Sequence, residues 1–172
     1  MAPRLVFLMV TLLLGACAAP QPSVYAPLAG RDGYAEESLG KGLHRVYFQG
    51  NAATSRERVQ NYCLYRAAEL TLSLGGERFA VHDKLVERHT QVTRETYGGW
   101  GNPYYYGPHG RYYHRPYPPP TYGRESTTFQ AILTIEPFSG PAPDGGFQIY
   151  DARAVVDQFA PQIVRPRDQP KQ

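Results

Sequence analysis

The residues that could do chemistry divide into a few candidate ligands and nucleophiles and a large aromatic set. The chain of 172 residues holds five histidines, two cysteines, one tryptophan and 14 tyrosines. A metal site needs His, Cys or carboxylate ligands that a rigid element presents together. His82-Asp83 and His89 fall on one strand-like segment, where a separation of seven places the two imidazoles on opposite faces. His109 and His114 are five apart in a Gly/Pro-rich stretch without such a scaffold. Neither pair is expected to bind a metal. Hydrolytic chemistry needs a nucleophile beside a base, and the chain has no Gly-x-Ser-x-Gly elbow. Gly75-Gly76 closes a helical pattern, whereas a phosphate loop opens one. No catalytic residues and no dissociable cofactor are therefore expected. The aromatic set is different, because eight of the tyrosines and the tryptophan crowd into residues 97–124. With three arginines and no acidic residue there, Trp100, Tyr104, Tyr105, Tyr106, Arg111, Tyr112 and Tyr113 form a candidate contact surface. Such rings and guanidinium groups stack on sugars, dock on polar partners or meet anionic headgroups.

The remaining reactive group is the thiol of Cys17. Met1–Arg4 is a short segment with one positive charge, and Leu5–Leu14 is apolar apart from Thr11. Ten helical residues span roughly 15 Å, half the ~30 Å hydrocarbon core, which suits a signal-peptide core and not a membrane span. The run ends in Leu14-Gly15-Ala16-Cys17, which resembles the lipobox of bacterial lipoproteins: an apolar residue, two small ones, then cysteine. The resemblance implies cleavage between Ala16 and Cys17, a diacylglycerol on the thiol and a further acyl chain on the freed amine. Two or three acyl chains satisfy the two-signal requirement for stable anchoring. Ala18 stands where lipoproteins retained at the inner membrane carry aspartate, so the outer membrane, facing the periplasm, is the expected address. Lipidation of Cys17 would leave Cys63 without an intrachain disulfide partner.

The elements that position these groups follow from periodicity. Residues 17–32 are rich in Ala, Pro and Gly and read as a flexible tether. Leu43–Gln49 is β-branched and aromatic and ends at the turn signal Gly50-Asn51, so it is predicted to be a strand. Thr54-Ser55-Arg56-Glu57 has the form of a capping box, with Thr54 as cap, opening a helix over residues 54–74 that Gly75 ends. At 100° per residue Val59, Cys63, Ala67, Leu70 and Leu74 fall within an arc of about 80°. Cys63 sits within this arc and is expected to be a buried thiol. Gln60, Tyr65 and Glu69 fall off the stripe, and Arg66 at its border reads as a snorkelling or ion-paired arginine. Phe79-Ala80-Val81 begins a strand that runs long or breaks once before residue 96. Phe129, Ala131, Leu133 and Ile135 alternate with polar residues over Thr127–Glu136, a half-buried strand. Phe147–Tyr150 is ambiguous, Asp151 could cap a short helix over residues 152–160, and residues 161–172 read as a loose tail.

This order predicts an α/β two-layer sandwich: a β-α-β-β core, one main helix on a small, mainly antiparallel sheet. One domain over residues 33–160 is expected, with residues 97–124 inserted at a hairpin tip, where added length costs little closure entropy. Sixteen prolines and 17 glycines make nearly one residue in five, above average usage. The excess sits in tether, insertion and tail. A net charge of +3 and a mean hydropathy of −0.47 exclude a strongly basic nucleic-acid binder and a multi-span membrane protein.

Gly50-Asn51, Thr54-Ser55-Arg56-Glu57 and Arg66-Ala67-Ala68-Glu69-Leu70-Thr71, behind a lipobox, resemble a family of short Gram-negative lipoproteins with no assigned reaction. The resemblance covers residues 31–96 and, more weakly, 125–160. Gly76 is followed here by Glu77 where that family has an aromatic residue. It implies an envelope address and a small α/β domain. The leading expectation is a non-enzymatic lipoprotein module whose partners are membrane lipid, through Cys17, and an envelope protein or cell-wall glycan. The alternatives are a binding module that uses residues 97–124 against glycan, peptidoglycan or protein, and an enzyme or accessory subunit dependent on a partner. Nucleic acid is disfavoured by the compartment.

Overall fold

The computed structural model describes residues 20–96, 105–106, 112–113 and 121–168. The fold is an α/β two-layer sandwich, as the pattern predicts. Five antiparallel strands form the sheet: β1 (Gly33–Gly40), β2 (Leu43–Gln49), β3 (Arg78–Thr96), β6 (Thr121–Phe138) and β7 (Gln148–Asp151), in the order β1-β2-β6-β3-β7. Helices α1 (Arg56–Ser73) and α2 (Ala152–Phe159) cover one face. Two-residue strands β4 (Tyr105–Tyr106) and β5 (Tyr112–Tyr113) pair with each other inside the insertion, as a ladder separate from the main sheet.

The core lies where the two layers meet. Val46, Phe48, Phe79, Ala131, Leu133 and Ile135 of the sheet bury against Val59, Tyr62, Cys63, Ala67 and Leu70 of α1 and Val155 of α2. Full burial of one such large side chain contributes about 1.5–3 kcal/mol. Both helix caps are made by side chains, but the α1 cap is Ser55, one residue later than expected. Ser55 Oγ accepts from the Arg58 amide (3.2 Å), so Glu57 is not in register for a box with Thr54. Thr54 is buried instead, accepting from the Ser23 amide (2.8 Å) and bonding Asn51 Oδ1 (2.8 Å). At the other end Leu74 is half exposed at 52%, and Gly75, at φ +80°, ends the helix in a conformation that favours glycine. Asp151 caps α2 through the Ala154 amide (2.8 Å), as its position suggested.

Strand β3 runs the full predicted length and carries a bulge between Val81 and Asp83. An extra residue reverses the alternation. His82 and His89 consequently lie on the same, open face of the sheet, correcting the opposite-face expectation, and still some 20 Å apart along the strand.

Four further points differ from the sequence pattern. Strand β1 was not legible as a strand, and it closes the β2 edge. Residues 20–32 are part of the fold and not a tether: Ser23 and Tyr25 are buried, and the Leu28 and Tyr34 amides exchange bonds across to Tyr34 and Ala26 carbonyls (2.7 and 2.9 Å). The tail packs as far as Arg165, with Ile163 buried, the Val164 carbonyl accepting from the Tyr25 amide (2.7 Å) and Arg165 bonding Glu69. The insertion is also shorter than residues 97–124, because pairing resumes at Thr96 with Thr121.

Beyond Gly50, whose amide donates to the Phe129 carbonyl (2.9 Å), β3 and β6 pair only with each other among the described residues, from Arg88–Phe129 to Thr96–Thr121. This two-stranded arm extends roughly 30 Å past the body of the sheet at 3.3–3.4 Å per residue. Gly50 lies at its root because there is no room for a side chain: a Cβ would stand 2.7 Å from Val59 Cγ2 and 2.9 Å from Thr54 Cβ.

Candidate functional site

The largest polar cluster among the described residues is centred on Glu69, which the sequence reading placed on the exposed side of α1. The carboxylate accepts from Arg66 Nη1 (3.1 Å), from Arg165 Nη2 (3.1 Å) and from the Tyr25 hydroxyl. Arg66 also makes a two-pronged pair with Glu36 of β1 (2.8 and 3.0 Å) and lies over the Tyr34 ring, 4.4 Å from its centroid. The paired-arginine reading of Arg66 therefore holds. Tyr25 packs edge-on against Tyr62 and Tyr65 and at a tilt against Tyr34. Tyr65 is buried, against the sequence expectation, because the segments on either side of Tyr25 and Arg165 cover it.

Beside this cluster is an opening of about 480 Å³, lined by Tyr25, Tyr34, Arg66, Glu69, Arg165 and Arg167. Arg66 and Arg165 are held above their ordinary values. Burial pulls Arg66 down but the pairing with Glu36 and the contacts with Tyr25 outweigh it, and the Tyr65 hydroxyl is the main influence raising Arg165. Burial, reinforced by Glu69, raises Tyr25 far above an ordinary tyrosine. These groups saturate one another. Within the described residues no buried side-chain nitrogen or oxygen lacks a partner. The arrangement binds the first and last described segments to α1, with the Tyr25 hydroxyl and the Glu69 carboxylate engaged with each other.

The predicted chemistry-bearing residues are dispersed. Ala16, Cys17, Trp100, Tyr104 and Arg111 lie outside the described residues, as do His109 and His114. Tyr105 pairs with Tyr113 and Tyr106 with Tyr112. His82 bonds Glu136 (2.7 Å) and lies at a tilt against Phe147, with ring centroids 4.0 Å apart, while His89 meets Glu87 (3.2 Å). Among the described residues no group of three or more His, Cys, Asp or Glu side chains is placed to hold a metal. A second opening of about 510 Å³ lies at the arm root, lined by Arg31, Gln49, Asn51, Gln91, Ser126 and Thr128.

Cys63 is fully buried, as predicted, and its thiol donates to the Val46 and Ala131 carbonyls (3.4 and 3.5 Å). Burial pushes it from an ordinary value near 9 up to about 12. Between these values the unfolded chain ionises and the folded chain does not, so Cys63 favours folding below pH 9 and loses that contribution as pH rises toward 12. Tyr25 acts in the same direction at higher pH. The urea midpoint is expected to fall between pH 9 and pH 11, and Cys63→Ala to flatten that fall. At pH 8 iodoacetamide should modify Cys63 only in denaturant; rapid modification of the native protein would contradict the burial.

No helix among the described residues is long and apolar enough to cross a membrane. Comparisons with protein-family models, with curated proteins and with solved structures find no match to this chain.

Proposed function

We propose that this chain is a bacterial lipoprotein, anchored through Cys17 in the outer membrane and facing the periplasm, whose module serves envelope organisation or assembly without catalysis of its own. The observation that carries the reading is the ten-residue apolar run ending in Leu14-Gly15-Ala16-Cys17. The internal saturation of the Glu69 cluster supports a structural role for the module's most elaborate polar site. Diacylglycerol and an N-linked acyl chain would be its only attached groups, both on Cys17.

A second reading, that the insertion contacts glycan, peptidoglycan or an envelope protein, is favoured by its place at the end of a projecting arm. Residues at an arm tip reach partners that the body of the sheet does not.

Cells expressing the protein and fed labelled palmitate test the anchor. Wild type should incorporate label and sediment with membranes; Cys17→Ser should lose the label and leave the membrane fraction. Continued membrane retention of unlabelled Cys17→Ser would sink the reading. Deleting residues 98–120, between the arm strands, tests the insertion: unchanged wall association and pull-down partners would leave it a spacer.

A further inference from the structure

The anchor reading, combined with the packing of residues 20–28, sets how the module meets its membrane. Gln21 is fixed beside Asn51, whose Nδ2 donates to the Gln21 carbonyl (2.9 Å), and Ser23 Oγ accepts from the Asn51 amide (2.8 Å). Cys17 is four residues before Gln21. Four extended residues reach about 14 Å at most. The acyl chains are thus leashed within about 14 Å of the junction where the arm leaves the sheet.

That junction is partway along the long axis. On one side the arm runs roughly 30 Å, and on the other β2 alone, Leu43–Gln49, runs about 23 Å. An arm pointing straight at the bilayer would drive about half its length into hydrocarbon. Among the described residues both of its strands have an unpaired edge, and Gln91, Arg124 and Glu125 are exposed on it. Open edges and unpaired charges are not accommodated in the bilayer core. The reverse orientation pushes the β1–β2 turn end into the membrane instead. Neither upright pose fits the leash.

The flank that turns toward the lipid is set by where the leash leaves and by charge. Residues 20–28 lie on the helix-layer side, against Thr54, Tyr62 and Tyr65. Arg56 and Arg167 are exposed around them and make no ion pair among the described residues, whereas Arg31 lies at the arm root beside Gln49, Gln91 and Thr128 of the open face. Glu57 and Asp168 are their acidic neighbours in sequence. The open sheet face is more acidic: the register places Glu37, Asp83, Glu87, Glu136 and Asp151 there, against Arg45, Arg78 and, on the arm, Arg124. An anionic headgroup layer repels that face and accepts the other.

We propose that the module lies with its long axis along the membrane surface, helix-layer side on the phosphate headgroups and open sheet face turned away. This rests on the Cys17 anchor. The arm then carries the start of the insertion sideways along the membrane, about 30 Å from the anchor. The row Ala35, Tyr47, Ile132 and Leu85, one residue from each of four adjacent strands, faces the aqueous space.

Single tryptophans on a Trp100→Phe background test the orientation. The chain from Cys17 onward is coupled through the Cys17 thiol to a maleimide lipid, in vesicles of phosphatidylethanolamine and phosphatidylglycerol carrying dibrominated acyl chains. Arg167→Trp reports the helix-layer side and Leu85→Trp the open face. Arg167→Trp should lose about half its emission, and Leu85→Trp essentially none. Quenching of Leu85→Trp with Arg167→Trp unaffected, quenching of both alike, or quenching of neither would overturn the proposal. The chemical coupling makes the result independent of processing in cells, so a failure here is distinct from a failure of Cys17 lipidation.

Discussion

Truncation of Tyr25 to alanine will lower the unfolding free energy by about 3–5 kcal/mol, the cost of removing a large buried aromatic side chain. Tyr25 is 4% exposed and touches three other tyrosine rings, and its hydroxyl donates to Glu69. Removing the ring opens a cavity over Tyr62 and Tyr65 and frees residues 20–28 from α1. For a domain of ordinary stability, about 5–15 kcal/mol, this is a large fraction of the whole. Tyr25→Phe separates the ring from the hydroxyl and should cost only about 1–2 kcal/mol. Urea denaturation of the Cys17→Ser form measures both. A change under about 0.5 kcal/mol for Tyr25→Ala, as for a residue in a free tether, would contradict the packing of the first segment.

Loss of the Glu69 carboxylate should have the next largest effect, about 2 kcal/mol for Glu69→Ala. The side chain is 24% exposed, so solvent screens its ion pairs and the full cost of breaking a buried pair does not apply. What remains is the hydroxyl of Tyr25 left without its acceptor and two guanidinium groups, Arg66 and Arg165, without the carboxylate between them. Glu69→Gln keeps the shape and loses the charge, and should fall between wild type and alanine. High salt should narrow the gap between wild type and Glu69→Gln. Equal stability of wild type and Glu69→Ala would show that Arg66, through Glu36, and the aromatic packing hold the segments unaided.

The contrast between these residues shows what periodicity could reveal. β2 is legible because its β-branched and aromatic residues end at the turn signal Gly50-Asn51, and β6 because Phe129, Ala131, Leu133 and Ile135 share one face. α1 is legible from its stripe, with Cys63 correctly inside it. Each of these signals reports one element against one layer. Tyr65 is off the stripe because what buries it is a second covering made by the first and last segments. Those segments, the first Pro/Ala-rich with a single tyrosine anchor and the last Pro/Arg-rich with Ile163, carry no period of their own. β1 was missed for a related reason: Gly-Tyr-Ala-Glu-Glu-Ser-Leu-Gly does not alternate, since it is an outer strand whose Glu36 points at Arg66 on the helix side while Glu37 meets Arg45 on the other. The bulge at His82 is a backbone event, and one extra residue was enough to reverse the histidine faces inferred from counting. The Glu69 cluster had one visible trace in the sequence, an arginine at the border of an apolar stripe three residues from a glutamate.

The chemistry that remains is at the start of the chain, and its most direct measurement is the mass of the first peptide of the protein extracted from its membrane. The account predicts a peptide beginning at Cys17, carrying a diacylglycerol and an additional acyl chain. A peptide that retains residues 1–16, begins elsewhere, or carries an unmodified Cys17 would contradict it.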